Sequence, residues 1–219
     1  MSLGSALQIA QNSLLNVTRQ TSVVSRNVTE SGNEDYTRRS GILDSSDLGS
    51  RIVVQRSNVN TQLRDSHLSA LSSAQAQTVL SNGLDQLNTS VNGIDGSQSM
   101  LNLITGLENS LQTWSAAPSD DLLASATIQN AKDLANALNR ATGKIQSFRS
   151  EMDVQVAAEV SELNSLLAEF HTVNSEIVNG THGGQDVNDQ LDQRDALLRD
   201  INKIVPVNTV YRPNNDLML

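Results

Sequence analysis

Apolar residues open the chain at alternating spacings of four and three: Leu3, Leu7, Ala10, Leu14, Val17, Val24 and Val28, with Thr21 in the one polar slot. On an α-helix that spacing draws a single narrow stripe, the seam of a coiled coil. The opposite face is Gln, Asn, Ser and Thr rather than charged. An isolated helix of this length is marginal in water, so the stripe predicts a partner helix.

The pattern collapses between Glu30 and Arg51, where ESGNEDYTRRSGILDSSDLGSR is rich in Gly and turn-forming polar residues. Ile52, Val53, Val54 and Val59 then predict a short extended stretch, so residues 31–60 read as a loop and strand-like connector. Helix resumes near Leu63, with Leu80, Leu84, Leu87, Val91 and Ile94 again in step. A break at NGIDGS precedes Leu101, Ile104, Leu107, Leu111 and Trp114. In SAAPSDDLL, Pro118 stops one helix, Ser119 is placed to cap the next, and Asp120 with Asp121 suits the positive end of its dipole.

Leu134, Leu138, Ala141, Ile145, Phe148, Met152 and Val156, then Leu163, Leu166, Phe170, Val173 and Ile177, predict one helix of roughly 55 residues, spanning about 80 Å. That is far longer than an average globular helix. NGTHGGQD ends it. A shorter helix follows in DVNDQLDQRDALLRDINKIV, with Leu191, Leu198, Ile201 and Val205 expected inward and Asp195–Arg199 expected as an outward i,i+4 pair. Beyond Pro206 the tail alternates apolar and polar residues.

The fold class expected is mainly α: long antiparallel helices in a rod-like bundle or coiled coil, with a short extended connector and the start of a β segment. The divisions expected are 1–40, an N-terminal helix and turn; 41–60, an extended connector; 61–205, a helical rod; and 206–219, the start of a β-containing segment.

Composition narrows the function. Aromatic residues make up only 2% of the chain, whereas substrate pockets are usually lined by apolar and aromatic groups. Three prolines leave long helices uninterrupted. A net charge of −9 argues against nucleic acid and against anionic membrane surfaces as partners. The chain has no cysteine, which rules out disulfides and thiolate chemistry. No basic n-region with an apolar core opens the sequence, and no run is apolar enough to span a bilayer.

Candidate chemistry is thin. His67, His171 and His182 are far apart and fit no zinc spacing. Asp186, Asn188, Gln190 and Asp192 echo a calcium loop but lack the glycine at the sixth position and the glutamate at the twelfth. No nucleophile elbow or phosphate-cradling loop is present. No catalytic, cofactor or metal residue is therefore assigned, and no enzyme activity is expected.

Ser5-Ala6-Leu7-Gln8-Ile9-Ala10-Gln11-Asn12-Ser13-Leu14, then Ser25-Arg26-Asn27-Val28, then Tyr36-Thr37-Arg38 resemble the signature of the flagellar axial proteins, the family of rod, hook and hook-associated subunits. That family opens with a heptad helix and runs through an Asn-rich segment into a Gly-Tyr-Thr-Arg turn. Here Asn33-Glu34-Asp35 replaces its usual Thr-Pro-Gly. Leu111–Leu123 (LQTWSAAPSDDLL) and Val187–Val205 (VNDQLDQRDALLRDINKIV) are similar to stretches of its hook-associated members.

The resemblance implies export by the flagellar type III apparatus, helical self-association into a tube, and a structural place at the hook–filament junction. The implied neighbours are hook protein and hook-associated protein 3, with an export chaperone acting through a C-terminal region. It also implies that these residues are the N-terminal part of a longer chain whose C-terminal helix completes the seam. Leu3, Leu7, Leu14, Val17, Val24 and Val28 would then be the assembly interface, and Asn27, Tyr36 and Arg38 the inter-domain turn. Hook-associated protein 3 and flagellin share the N-terminal heptads and stand as alternatives within the family. A cytoplasmic helical scaffold is the alternative outside it.

Overall fold

The computed structural model describes residues 3–46, 49–57, 60–93 and 99–219. Val59, Ile94 and most of the break expected at residues 92–97 lie outside the described residues. The architecture is mainly α, as the periodicity predicts. Its elements run α1 (Leu3–Thr29), β1 (Arg39–Ser46), β2 (Gly49–Arg56), α2 (Thr61–Asn92), α3 (Met100–Ala116), α4 (Asp121–His182), α5 (Asn188–Ile204), β3 (Val210–Tyr211) and β4 (Leu217–Met218). The long helix α4 is 62 residues, the scale set by an apolar spacing that only Glu159 interrupts.

Two units make up the fold. The first joins the chain up to Ser73 with Leu163–Leu219; the second is Ala74–Glu162.

In the first unit the connector is a hairpin rather than one extended stretch. β1 and β2 pair antiparallel, Arg39 opposite Arg56 through Ser46 opposite Gly49. The core lies elsewhere in the unit: Phe170, Val173 and Ile177 of α4 pack with Leu197, Leu198 and Ile201 of α5 and with Leu217. Ile177, Leu198 and Ile201 are fully buried, whereas Val205, expected inward, is exposed. α4 ends where the pattern places its stop. Gly184 takes φ +65°, a left-handed cap that suits glycine, and a Cβ on Gly180 would drive into Val187 as the chain folds back. The alternating tail closes as a two-residue hairpin turned by Asn214 and Asn215, both at positive φ.

The second unit packs α3 and parts of α2 and α4 with little buried area. Ala137 and Thr127 are buried, and the Thr127 hydroxyl donates to the Ser110 carbonyl across the α3–α4 pair at 3.2 Å. Gln86 of α2 donates to Glu151 of α4 at 3.1 Å. The cap of α4 differs from expectation: Asp120, not Ser119, accepts the N–H groups of Leu122 (2.9 Å) and Leu123 (3.3 Å). A carboxylate there satisfies two orphan donors and complements the helix dipole as well.

Candidate functional site

Two features of the first unit stand out, and both begin on α1. The first is the stripe. Leu3 is 90% exposed, Leu14 70% and Val28 69%, and Leu7, Val17 and Val24 are about as open. The helix turns its polar face inward instead. Asn12, Asn16, Val23 and Asn27 are the half-buried positions, one turn or two apart along the face opposite the stripe. Asn16 donates to the Ser50 carbonyl (2.8 Å) and accepts from the Ile52 N–H (3.1 Å). Asn27 donates to the Arg39 carbonyl (2.8 Å) and accepts both the Arg39 N–H (3.0 Å) and the Tyr36 hydroxyl (2.8 Å). Polar side chains thus seat α1 on the hairpin while its apolar residues meet water.

The second feature is a latch of arginines and aspartates. α5 carries Asp189, Asp192 and Asp195 three residues apart, so their carboxylates descend one side of the helix. Arg39 bonds Asp189 (2.5 Å) and Asp192 (2.9 Å); Arg56 bonds Asp192 (3.0 Å) and Asp195 (2.6 Å); Arg64 bonds Asp195 (3.0 Å). Arg26 of α1 reaches Asp189 as well, at 2.6 Å. The Tyr36 ring lies under two of these cations, 5.0 Å from Arg39 and 5.9 Å from Arg26. Segments more than a hundred residues apart in sequence are joined through this cluster.

The expected outward Asp195–Arg199 pair is corrected here. Asp195 is buried between Arg56 and Arg64, and Arg199 turns to Asp35 on the loop after α1. The physical reason is competition: two guanidiniums in a shielded site outweigh one exposed i,i+4 neighbour.

The cluster perturbs its own groups. Burial alone would push the Asp189 carboxyl up, but its bonds from Arg39 and Arg26 prevail and hold it below the usual carboxylate value. Burial likewise pulls Arg39 down, and its bonds to Asp189 and Asp192 more than restore it, leaving its pKa raised. Arg194 is lowered to about 10, chiefly by burial and then by the charges of Arg64 and Arg56 against the pull of Asp195 and Asp216; it stays protonated at neutral pH. It is held by the side-chain oxygen of Asn174 (2.8 Å) and the carbonyl of Asn215 (2.5 Å), fixing the tail hairpin to the core.

Of the residues singled out in the sequence, Asn27 and Tyr36 meet at the start of β1. Arg38 is exposed, and the cation that enters the latch is its neighbour Arg39. The histidines are exposed and lie on α2, late in α4 and at the end of α4. In the calcium-like run, Asp186 accepts from the Asn188 N–H at 3.0 Å and Asp192 serves the latch. Among the described residues no cluster of acids and histidines is arranged to hold a metal, and no helix is long and apolar enough to cross a membrane.

A family model described as the flagellar hook-associated protein FlgK helical domain matches residues 84–219. Flagellar hook-associated protein 1 of Salmonella typhimurium (strain LT2) is 28% identical over 115 residues, 52% of this chain and 21% of that protein. The protein of the same name from Salmonella typhi matches to the same extent. The match therefore spans about a fifth of the length of these curated relatives. The family model covers well over half of the chain, and the chain belongs to the flagellar hook-associated protein FlgK helical domain family.

Proposed function

We propose that the chain is a non-catalytic structural subunit of the bacterial flagellar axis, placed at the hook–filament junction. In this reading it is exported by the flagellar type III apparatus and assembled helically, with hook protein and hook-associated protein 3 as its axial neighbours. The family and the relatives support the flagellar structural role. The observation that carries the assembly role is the α1 stripe: an apolar seam of six residues held in water by a helix whose polar face is already occupied. Such a seam is stable only when another helix covers it. Leu3, Leu7, Leu14, Val17, Val24 and Val28 form that interface, and Asn27 with Tyr36 sets the turn that hands α1 to the hairpin; Arg38, beside them, remains open for contact with a neighbour. Division of the chain near residues 40, 60 and 205 into terminal helix, connector, helical rod and β segment belongs to the same reading.

The test is deletion of residues 1–40 in the flagellated bacterium. Loss of the protein from the medium, together with hooks that bear no filaments, is the expected result. Normal filaments in that strain would overturn the reading.

A further inference from the structure

The aspartates of the latch continue a pattern that the latch does not exhaust. Asp186, Asp189, Asp192 and Asp195 recur at every third residue, and carboxamides precede the first two, at Gln185 and Asn188. Three of these four carboxylates hold arginines. Asp186 holds none among the described residues; its Oδ1 takes the Asn188 backbone N–H at 3.0 Å and the Asn188 side chain at 2.6 Å.

The arginines of the hairpin sit astride the rungs of this ladder. Arg39 bridges Asp189 and Asp192, and Arg56 bridges Asp192 and Asp195, whereas Arg64, on Asp195 alone, comes from α2. Two further bonds reach α5: Asn188 donates to the Val54 carbonyl at 3.1 Å, and the Thr37 N–H donates to Asp192 at 3.3 Å. Asn16 and Asn27 tie α1 to the hairpin, so α1, β1 and β2 form one arm. Beside Arg39 lies a groove of about 610 Å³ whose lining includes Gln185, Asp186 and Asn188, so open space adjoins the unused rung.

We propose that the arm has a second seat on this ladder, one rung toward the N-terminus of α5 and about 4.5 Å from the first. In that seat Arg39 bridges Asp186 and Asp189, Arg56 bridges Asp189 and Asp192, and Arg26 follows to Asp186. The Thr37 N–H passes to Asp189, and the Val54 carbonyl to Gln185. Asp195 keeps Arg64, so no carboxylate of the latch is stranded. Each forked guanidinium spans two rungs and holds one while it reaches the next, so the arm moves by a discrete step. The observed seat is the more populated. The step gives up the exposed Arg199–Asp35 pair and carries guanidiniums toward the positive end of the α5 dipole. Such a step shifts α1 along the core without unfolding it; its use, though not its existence, rests on the axial role proposed above.

The test reads the step in the full chain. Relaxation dispersion is expected at the Thr37 amide, which changes acceptor, and not at the Ile177 amide in the α4–α5 core. D186N leaves Asn188 its oxygen acceptor but removes the charge of the unused rung, and is expected to abolish that dispersion. Nitroxides on Q55C and E176C, both exposed positions, read the second seat as a second distance, shifted by up to about 4.5 Å. D195N leaves Arg64 an acceptor while weakening the hold on Arg56, and is expected to raise the second population about tenfold. The D186N/D195N double variant is expected to return to one distance, and circular dichroism checks that each variant is folded.

A wild-type chain without dispersion at Thr37, or dispersion that survives D186N, overturns the proposal. So does a D195N chain that shows no second distance. A second distance that persists in the double variant would be general loosening rather than a step onto Asp186, and would equally overturn it. Should D195N fail to fold, dispersion in wild type and D186N decides alone. If the step fails, the axial reading stands, because the filament phenotype of the 1–40 deletion judges that reading separately.

Discussion

The first unit holds two regions built on opposite rules. Where α4 packs on α5, apolar side chains close on one another, and Ile177, Leu198 and Ile201 are sealed. At α1 and the hairpin the arrangement is reversed: amides and guanidiniums make the contacts and the leucines and valines of the α1 stripe are left outside. The first region is finished by its own residues. The second is specified in geometry, because hydrogen bonds and ion pairs fix register, yet it gains little from the hydrophobic effect. A helix seated that way keeps its apolar face free without losing its place.

The sharpest way to break this contrast is at the latch, where the two regions join. D195A would leave Arg64 without a carboxylate in a shielded site and Arg56 with Asp192 alone, at a cost of about 3–5 kcal/mol. Hydrogen exchange should show α5 and β2 amides losing protection together. L198A, confined to the apolar region, should cost about 3 kcal/mol through its cavity, with loss of protection in α5 but little change at the α1–hairpin contact. N16A should cost about 1–2 kcal/mol and be felt chiefly at the Ile52 amide, which would lose its acceptor.

A pH titration gives a smaller effect. The Asp189 carboxyl sits below its ordinary value of 3.8 in the folded chain, so the stability it contributes is complete above about pH 4. That stability is lost as pH falls further, through the folded value. Asp189 is 57% exposed, so the loss should be slight, seen as a shift of the Tyr36 ring resonances below pH 4 while α5 stays protected. Smallest of all for stability is L7S on the stripe, which should change folding by less than about 0.5 kcal/mol and yet abolish assembly. A large loss of stability in L7S would mean that the stripe is core after all.

The helices are readable because their apolar spacing repeats with few interruptions, and the stop at Gly183–Gly184 because glycine serves a left-handed cap. The stripe on α1 is equally plain. The latch is not. Asp189, Asp192 and Asp195 look like a solvated helix face until Arg39, Arg56 and Arg64 arrive from residues far away in sequence, and local pattern carries no record of that meeting. The resemblance points at Arg38, one residue from the cation that the strand turns inward, since neighbouring side chains along an extended chain point to opposite faces. The hairpin is half legible: Ile52–Val54 mark β2, but β1 (RSGILDSS) is too polar to announce itself.

Asn16 and Asn27 carry one more consequence. A two-stranded hairpin has two raw margins, and each margin is a template on which a stray chain can crystallise into sheet. Asn16 takes the carbonyl of Ser50 and the amide of Ile52 as a neighbouring strand's peptide would, and Asn27 does the same for both main-chain groups of Arg39. Two carboxamides borrowed from a helix therefore act as counterfeit rungs, one on each margin. At those positions the hairpin offers an incoming strand no free main-chain group, while the apolar face of α1 stays open.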